Sequence, residues 1–175
     1  MTESASATTP PVAPGTYRLD PGRSTIRADV QAMFGLLTVR GTFRLKSGEV
    51  TIAEEAACSG VRATIDATSF SSGNAIRDRE VLSATMLDAS AHPEITFAGD
   101  GVQRHGNGWI VHGSVTARGI TVPADLEMND IRAEGGVIRF HAVTTLDRTR
   151  FGATSKKGIV GQTIALSIDA VAVPA

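Results

Sequence analysis

Residues 69–97 read SFSSGNAIRDREVLSATMLDASAHPEITF, and they decide the fold because they interrupt a chain that otherwise alternates apolar and polar residues. Gly73-Asn74 breaks an extended run, Asn74 offers a capping side chain, and Ile76, Val81 and Leu82 recur near one face. That pattern predicts a helix of about two turns from Ala75 to Ser83. Met86 and Leu87 then form an apolar plug ended by Asp88, and His92-Pro93 forces extended backbone that launches a strand over Ile95 to Phe97.

Outward from this stretch the period is two. Ile26, Ala28, Val30 and Ala32 alternate with Thr25, Arg27, Asp29 and Gln31, and Val39, Gly41, Phe43 and Leu45 alternate with Arg40, Thr42, Arg44 and Lys46. Gly35, between Phe34 and Leu36-Leu37, marks the bend of a long hairpin with an apolar tip. Turn signals at Lys46-Ser47-Gly48, Glu54-Glu55, Gly99 to Gly101 and Gly106-Asn107-Gly108 separate further strands. These run over Val61 to Asp66, Trp109 to Val115, Ile120 to Met128, Val137 to Leu146 and Thr163 to Val173.

About eight antiparallel strands close as a sandwich or as a barrel, and only a barrel removes exposed edges. The interior candidates Ala28, Ala32, Gly41, Ala63, Gly113, Ala124, Ala142, Ala165 and Ala170 are too small to fill a barrel, which leaves space for a guest. The composition agrees: 42% hydrophobic residues suffice for a core, while 5% aromatic residues supply few rings to fill it. Strands of about ten residues span roughly 33 Å, so a long, narrow, apolar cavity is expected.

The chain of 175 residues allows one domain over 16–175, after a polar, Pro-rich start, MTESASATTPPVAPG, expected to be a disordered tail over 1–15. That start has neither the basic opening nor the apolar run of a secretory signal, so a cytoplasmic location is expected. Seventeen basic and eighteen acidic residues leave a net charge of -1, which removes the electrostatic case for nucleic acid as a partner. Cys58 is the only cysteine, so no internal disulfide forms, and its alternation into a strand predicts a buried thiol.

No catalytic constellation stands out. There is no G-x-S-x-G elbow, and His92, His105, His112 and His141 lack paired ligand spacing, so neither a catalytic site, a metal nor a cofactor is expected.

Ser69, Gly73-Asn74, Arg77-Asp78, Ser83-Ala84, Asp88, His92-Pro93 and Ile95-Thr96-Phe97 together resemble the helix and loop signature of the YceI family of lipocalin-like, polyisoprenoid-binding proteins. Tyr17, Leu19-Asp20, Ser24, Gly35, Val39-Arg40-Gly41, Phe43, Gly113, Arg118-Gly119, Thr121-Val122-Pro123, Arg148, Phe151-Gly152 and Val160-Gly161 extend the resemblance over about Thr16 to Ala172. It departs at Met33, where many members carry histidine, and at Met86-Leu87, where two phenylalanines are usual. The resemblance implies an extended lipocalin-like barrel, all β apart from one short helix, that stores or transports a long isoprenoid lipid of polyprenyl or prenyl-quinone type. An apolar tube by itself would equally take a fatty acyl chain.

The alternation places Val30, Phe43, Ile65, Phe97, Leu126, Phe140 and Ile168 in one cavity with the small Ala142, and Met86 and Leu87 give it an adaptable lining. Arg77 and Arg79, near the helix, are candidate contacts for a head group, against the plainer reading of helix tethers. Arg148, Arg150, Lys156 and Lys157 form a basic run that reads as a solvated loop or as a transient contact with a membrane surface. The apolar hairpin tip at Phe34 to Leu37 suggests a homodimer contact. Three other functions are consistent with the chain: sequestration of amphiphilic small molecules in stress or antibiotic tolerance, a lipid-modifying enzyme, or a ligandless structural barrel.

Overall fold

The computed structural model describes residues 12–156 and 159–175. The alternating segments become nine strands among the described residues: β1 Gly15–Leu19, β2 Thr25–Ala32, β3 Leu37–Ile52, β4 Gly60–Ser71, β5 Glu94–His105, β6 Gly108–Ala117, β7 Ile120–Glu134, β8 Val137–Asp147 and β9 Val160–Pro174. The helix α1, Ala75–Leu82, sits between β4 and β5. Asn74 caps it, its side chain accepting from the N–H groups of Ile76 at 3.1 Å and Arg77 at 3.0 Å.

Every strand pair is antiparallel, and pairing of β3 with β4 closes the sheet. β1 pairs with β3 through Gly15 to Arg18 and with β9 through Tyr17 to Leu19, while β2 pairs with the other stretches of the same two neighbours. The two short strands therefore occupy one position in the wall, broken by a 3-10 turn over Pro21–Arg23, and nine strands make an eight-position barrel. This is the lipocalin-like barrel with one α-helix.

Two turn signals lie inside strands. Lys46-Ser47-Gly48 belongs to the sixteen-residue β3, and Gly99 to Gly101 to β5, each beside a register shift in the ladder. Gly48 marks a close approach instead of a turn: a Cβ there would lie 2.8 Å from the Arg62 carbonyl and strike the Leu19 side chain. Cys58 is exposed, because it lies in a 3-10 turn over Ala56–Cys58 that the alternation does not reveal.

Residues 1–11 of the expected tail lie outside the described residues. Among those that follow, Val12 is buried in the core, the Tyr17 hydroxyl donates to the Ala13 carbonyl at 2.6 Å, and β1 begins at Gly15.

The barrel is packed at one end and hollow at the other. Register brings Phe97, Trp109, Val111, Leu126, Met128 and Phe140 together toward the end where Val12 closes over them, leaving a void of only about 50 Å³. The opposite end, beneath α1, encloses the larger cavity.

Candidate functional site

Beneath α1 lies a cavity of about 470 Å³, within the usual range for small-molecule sites of about 300–1,000 Å³. Its wall is apolar, built from Val30, Val39, Phe43, Ile65, Phe70, Leu146 and Leu166 among others. The space above Gly41, which the sequence leaves open, is taken by the Phe70 ring, whose centroid lies 5.2 Å from that of Phe43. Here the lack of a Cβ seats a wall residue and not the guest.

Polar groups are confined to the cap. Arg77 and Glu80 come from α1, Ser83 and Thr85 from the segment after it, Arg118 from the β6–β7 turn, and Arg148, Ser155 and Lys156 from the connection between β8 and β9. Lys156 Nζ meets Glu80 Oε2 at 2.6 Å, joining the last of these elements to the helix.

The plug folds back on the end of α1. Leu87 N–H donates to the Val81 carbonyl at 2.9 Å, Asp88 to Ser83 at 2.8 Å and Ala89 to Leu82 at 3.1 Å. Those bonds turn Met86 and Leu87 into the cavity. Arg118 holds them there, its Nη1 donating to the carbonyls of Ala84 at 2.6 Å and Met86 at 2.7 Å and its Nε to Phe151 at 3.0 Å.

Arg148 is the least expected element. It is buried, although it opens what reads as a solvated basic run. Its guanidinium donates to four carbonyls: Nε to Gly161 at 2.9 Å, Nη1 to Ala153 at 2.7 Å and Ser155 at 2.8 Å, and Nη2 to Val160 at 3.1 Å. Burial pulls its pKa below the ordinary guanidinium value, with the nearby Asp147 charge opposing. The carbonyls of Ala153, Ser155, Val160 and Gly161 thus converge on a cation. Apart from its place in the family resemblance, nothing in the local sequence separates this arginine from its exposed neighbour Arg150, since the carbonyls that bind it come from residues up to thirteen positions further on.

The anticipated cavity residues divide along the barrel axis. Val30, Phe43, Ile65, Met86 and Leu87 line the 470 Å³ cavity. Phe97, Leu126, Phe140 and Ala142 are buried in the packed end, with Ile168 against them, because alternation reports which face of a strand is inside but not how far along the axis a residue lies. A long tube is replaced by a chamber with one closed end.

Arg77 lines the cavity while donating to Ser72, from Nε to Oγ at 2.9 Å and from Nη2 to the carbonyl at 3.1 Å. Asp78 accepts from the Ser72 N–H at 2.9 Å, so this pair also fastens α1 to the end of β4. Arg79 is exposed outside the cavity. Ile76 is 73% exposed and does not pack the helix down; Val81 faces the cavity and Leu82 is half-buried.

Two histidines sit in cross-strand pairs, His112 Nδ1 with Asp125 at 2.8 Å and His141 Nδ1 with Asp169 at 2.9 Å. Among the described residues, no three His, Cys, Asp or Glu side chains converge as a metal site would require.

A comparison with known families matches residues 17–172 to the YceI-like domain. The chain belongs to the YceI-like family. It is 34% identical over 101 residues to a UPF0312 protein of Vibrio campbellii, covering 57% of this chain and 53% of that one. It is also 34% identical over 88 residues to Protein YceI of Escherichia coli, covering 50% and 46%. The chain thus spans about half the length of the curated YceI relatives it matches. The fold recurs in Burkholderia cenocepacia BcnA, with a TM-score of 0.76 at 23% identity over 87% of this chain and 98% of that one. It recurs too in a domain of Saccharophagus degradans described as polyisoprenoid binding and implicated in plant cell wall breakdown, with a TM-score of 0.69 at 11% identity over 93% and 100% of the two chains. No helix among the described residues is long and apolar enough to cross a membrane.

Proposed function

We propose that this YceI-like protein is a non-catalytic carrier that holds the apolar tail of an isoprenoid lipid in the chamber beneath α1. The observation that carries this reading is the distribution of polarity, an apolar wall closed at one end and polar side chains only at the cap. Such a chamber excludes water from a hydrocarbon tail, at roughly 25 cal/mol per Å² of apolar surface removed from water before ordering costs are subtracted. Its polar rim suits an amphiphile whose head lies near Arg77, Glu80 and Lys156. The preference for a prenyl over a fatty acyl tail rests on family membership and on the described ligand of the Saccharophagus domain. An apolar chamber with binding groups at its cap supports transport or storage of the lipid.

The test is organic extraction of the purified protein followed by mass spectrometry. A stoichiometric prenyl lipid is expected. Recovery of fatty acids alone would reassign the tail, and an empty protein whose melting temperature is unmoved by added prenyl alcohol would reject the carrier reading.

A further inference from the structure

The hairpin between β2 and β3 ends in Met33, Phe34, Gly35, Leu36 and Leu37, and four of these five are large apolar residues in contact with solvent. Phe34 and Leu36 are each 89% exposed, Met33 53% and Leu37 49%, and Ile159 beside them is 52% exposed. Met33, Leu37 and Ile159 also line the cavity, so the apolar surface runs without a break from the chamber wall to the outside of the tip. Met33, Phe34 and Gly35 have φ values of 52°, 60° and 85°, which turns the hairpin sharply and thrusts the Phe34 and Leu36 side chains outward.

We infer that this tip docks in the surface of a lipid bilayer, so that a guest passes between bilayer and chamber along Met33, Leu37 and Ile159. The inference rests on the lipid-carrier reading for its purpose, but the surface itself rests on these exposures. A prenyl guest hardly dissolves in water, and a mouth bordered by apolar side chains lets it move without crossing water. The backbone is prepared for an apolar medium, because the N–H groups of Met33, Gly35 and Leu36 already donate to Ile159, Ala32 and Met33. Lys156 accepts from Ile159 N–H at 3.1 Å through its carbonyl and pairs its Nζ with Glu80 Oε2 at 2.6 Å, so the rim beside the tip carries a neutralised ion pair and the docking rests on the apolar tip. A second copy of the chain is the weaker occupant, since a tip of five residues falls far short of the roughly 20–30 residues a side of a standard interface.

Phe34 and Leu36 do not line the chamber, so the double variant Phe34→Ser/Leu36→Ser separates docking from binding. Flotation with vesicles of phosphatidylcholine and phosphatidylglycerol in equal parts should carry the native protein upward and the variant at least about tenfold less. Uptake of dansyl-farnesol from the same vesicles should slow by a similar factor, while affinity for dansyl-farnesol supplied from ethanol stays unchanged. Equal flotation of the two proteins, or none for the native one, would overturn the inference. So would a concentration-dependent dimer in light scattering that the variant abolishes in place of flotation. Failure of the native protein to bind ethanol-supplied dansyl-farnesol would instead count against the carrier reading, with flotation still deciding the docking.

Discussion

Arg118 donates through Nη1 to the carbonyl of Met86 at 2.7 Å, across thirty-two positions of sequence, and so fixes the plug over the chamber. The same side chain reaches Ala84 and Phe151, which makes it the tie between α1's trailing segment and the turn after β8. Arg118→Met should cost about 1.5–3 kcal/mol in urea unfolding, the range for hydrogen bonds to a charged group. Its signature is local: amide exchange at Leu87, Asp88 and Ala89 should accelerate more than exchange in β6 and β7. Uniform acceleration across the barrel would show that the plug is held by other contacts.

Arg148 has a larger role in stability than in binding. Arg148→Met would leave the carbonyls of Ala153, Ser155, Val160 and Gly161 without their donor in a buried setting, at a cost of about 3 kcal/mol or more. Arg148→Lys should recover only part of that, because an ammonium cannot span four carbonyls with a planar fork. Thermal unfolding of the three proteins checks the order native, Lys, Met. A lysine variant as stable as the native protein would mean that charge alone, and not the fork, organises the loop.

Asp147 caps the 3-10 turn that presents Arg148. Its carboxyl is held below the ordinary 3.8, chiefly because the Thr149 hydroxyl donates to it, with the Thr149 N–H adding to the effect and Arg150 and Arg148 contributing less. A depressed carboxyl stabilises the fold above its unfolded-state pKa and loses that contribution as pH falls through the folded-state value. The stability difference between the native protein and Asp147→Ala should therefore be constant at neutral pH and shrink in acid below about pH 4. Denaturant midpoints across that range supply the comparison; a difference that grew on acidification would contradict the assignment.

The barrel is legible in the sequence because a strand's alternation is local: Ile26, Ala28, Val30 and Ala32 declare one face whatever their neighbours do. The helix is legible for the same reason, from Asn74 and the break at Gly73. The axial position of the cavity is not, since it depends on register bringing Trp109 opposite Met128 and Phe140 opposite Ala170 from distant segments. Arg148 escapes for a related reason. Its burial is produced by a chain that has yet to be laid over it at the point where the arginine occurs. The apolar tip was readable as apolar, whereas its continuity with the chamber needs Ile159, brought in from the far side of β9's start.

Ala28 and Ala142 look alike in sequence, small residues at interior positions of strands, but they lie in different halves of the barrel. Ala28 borders the chamber, whereas Ala142 is completely buried among the packed side chains. In Ala28→Trp the indole has the chamber to enter, so the barrel should fold with near-native stability and lose its lipid. In Ala142→Trp the same side chain has no space, and overpacking should cost about 1–3 kcal/mol or more while any protein that folds still carries lipid. Lipid content by mass spectrometry and melting temperature, measured together on both variants, should move in opposite patterns. Loss of lipid from a stable Ala142→Trp protein would place the guest in the packed end and displace the chamber beneath α1 as its site.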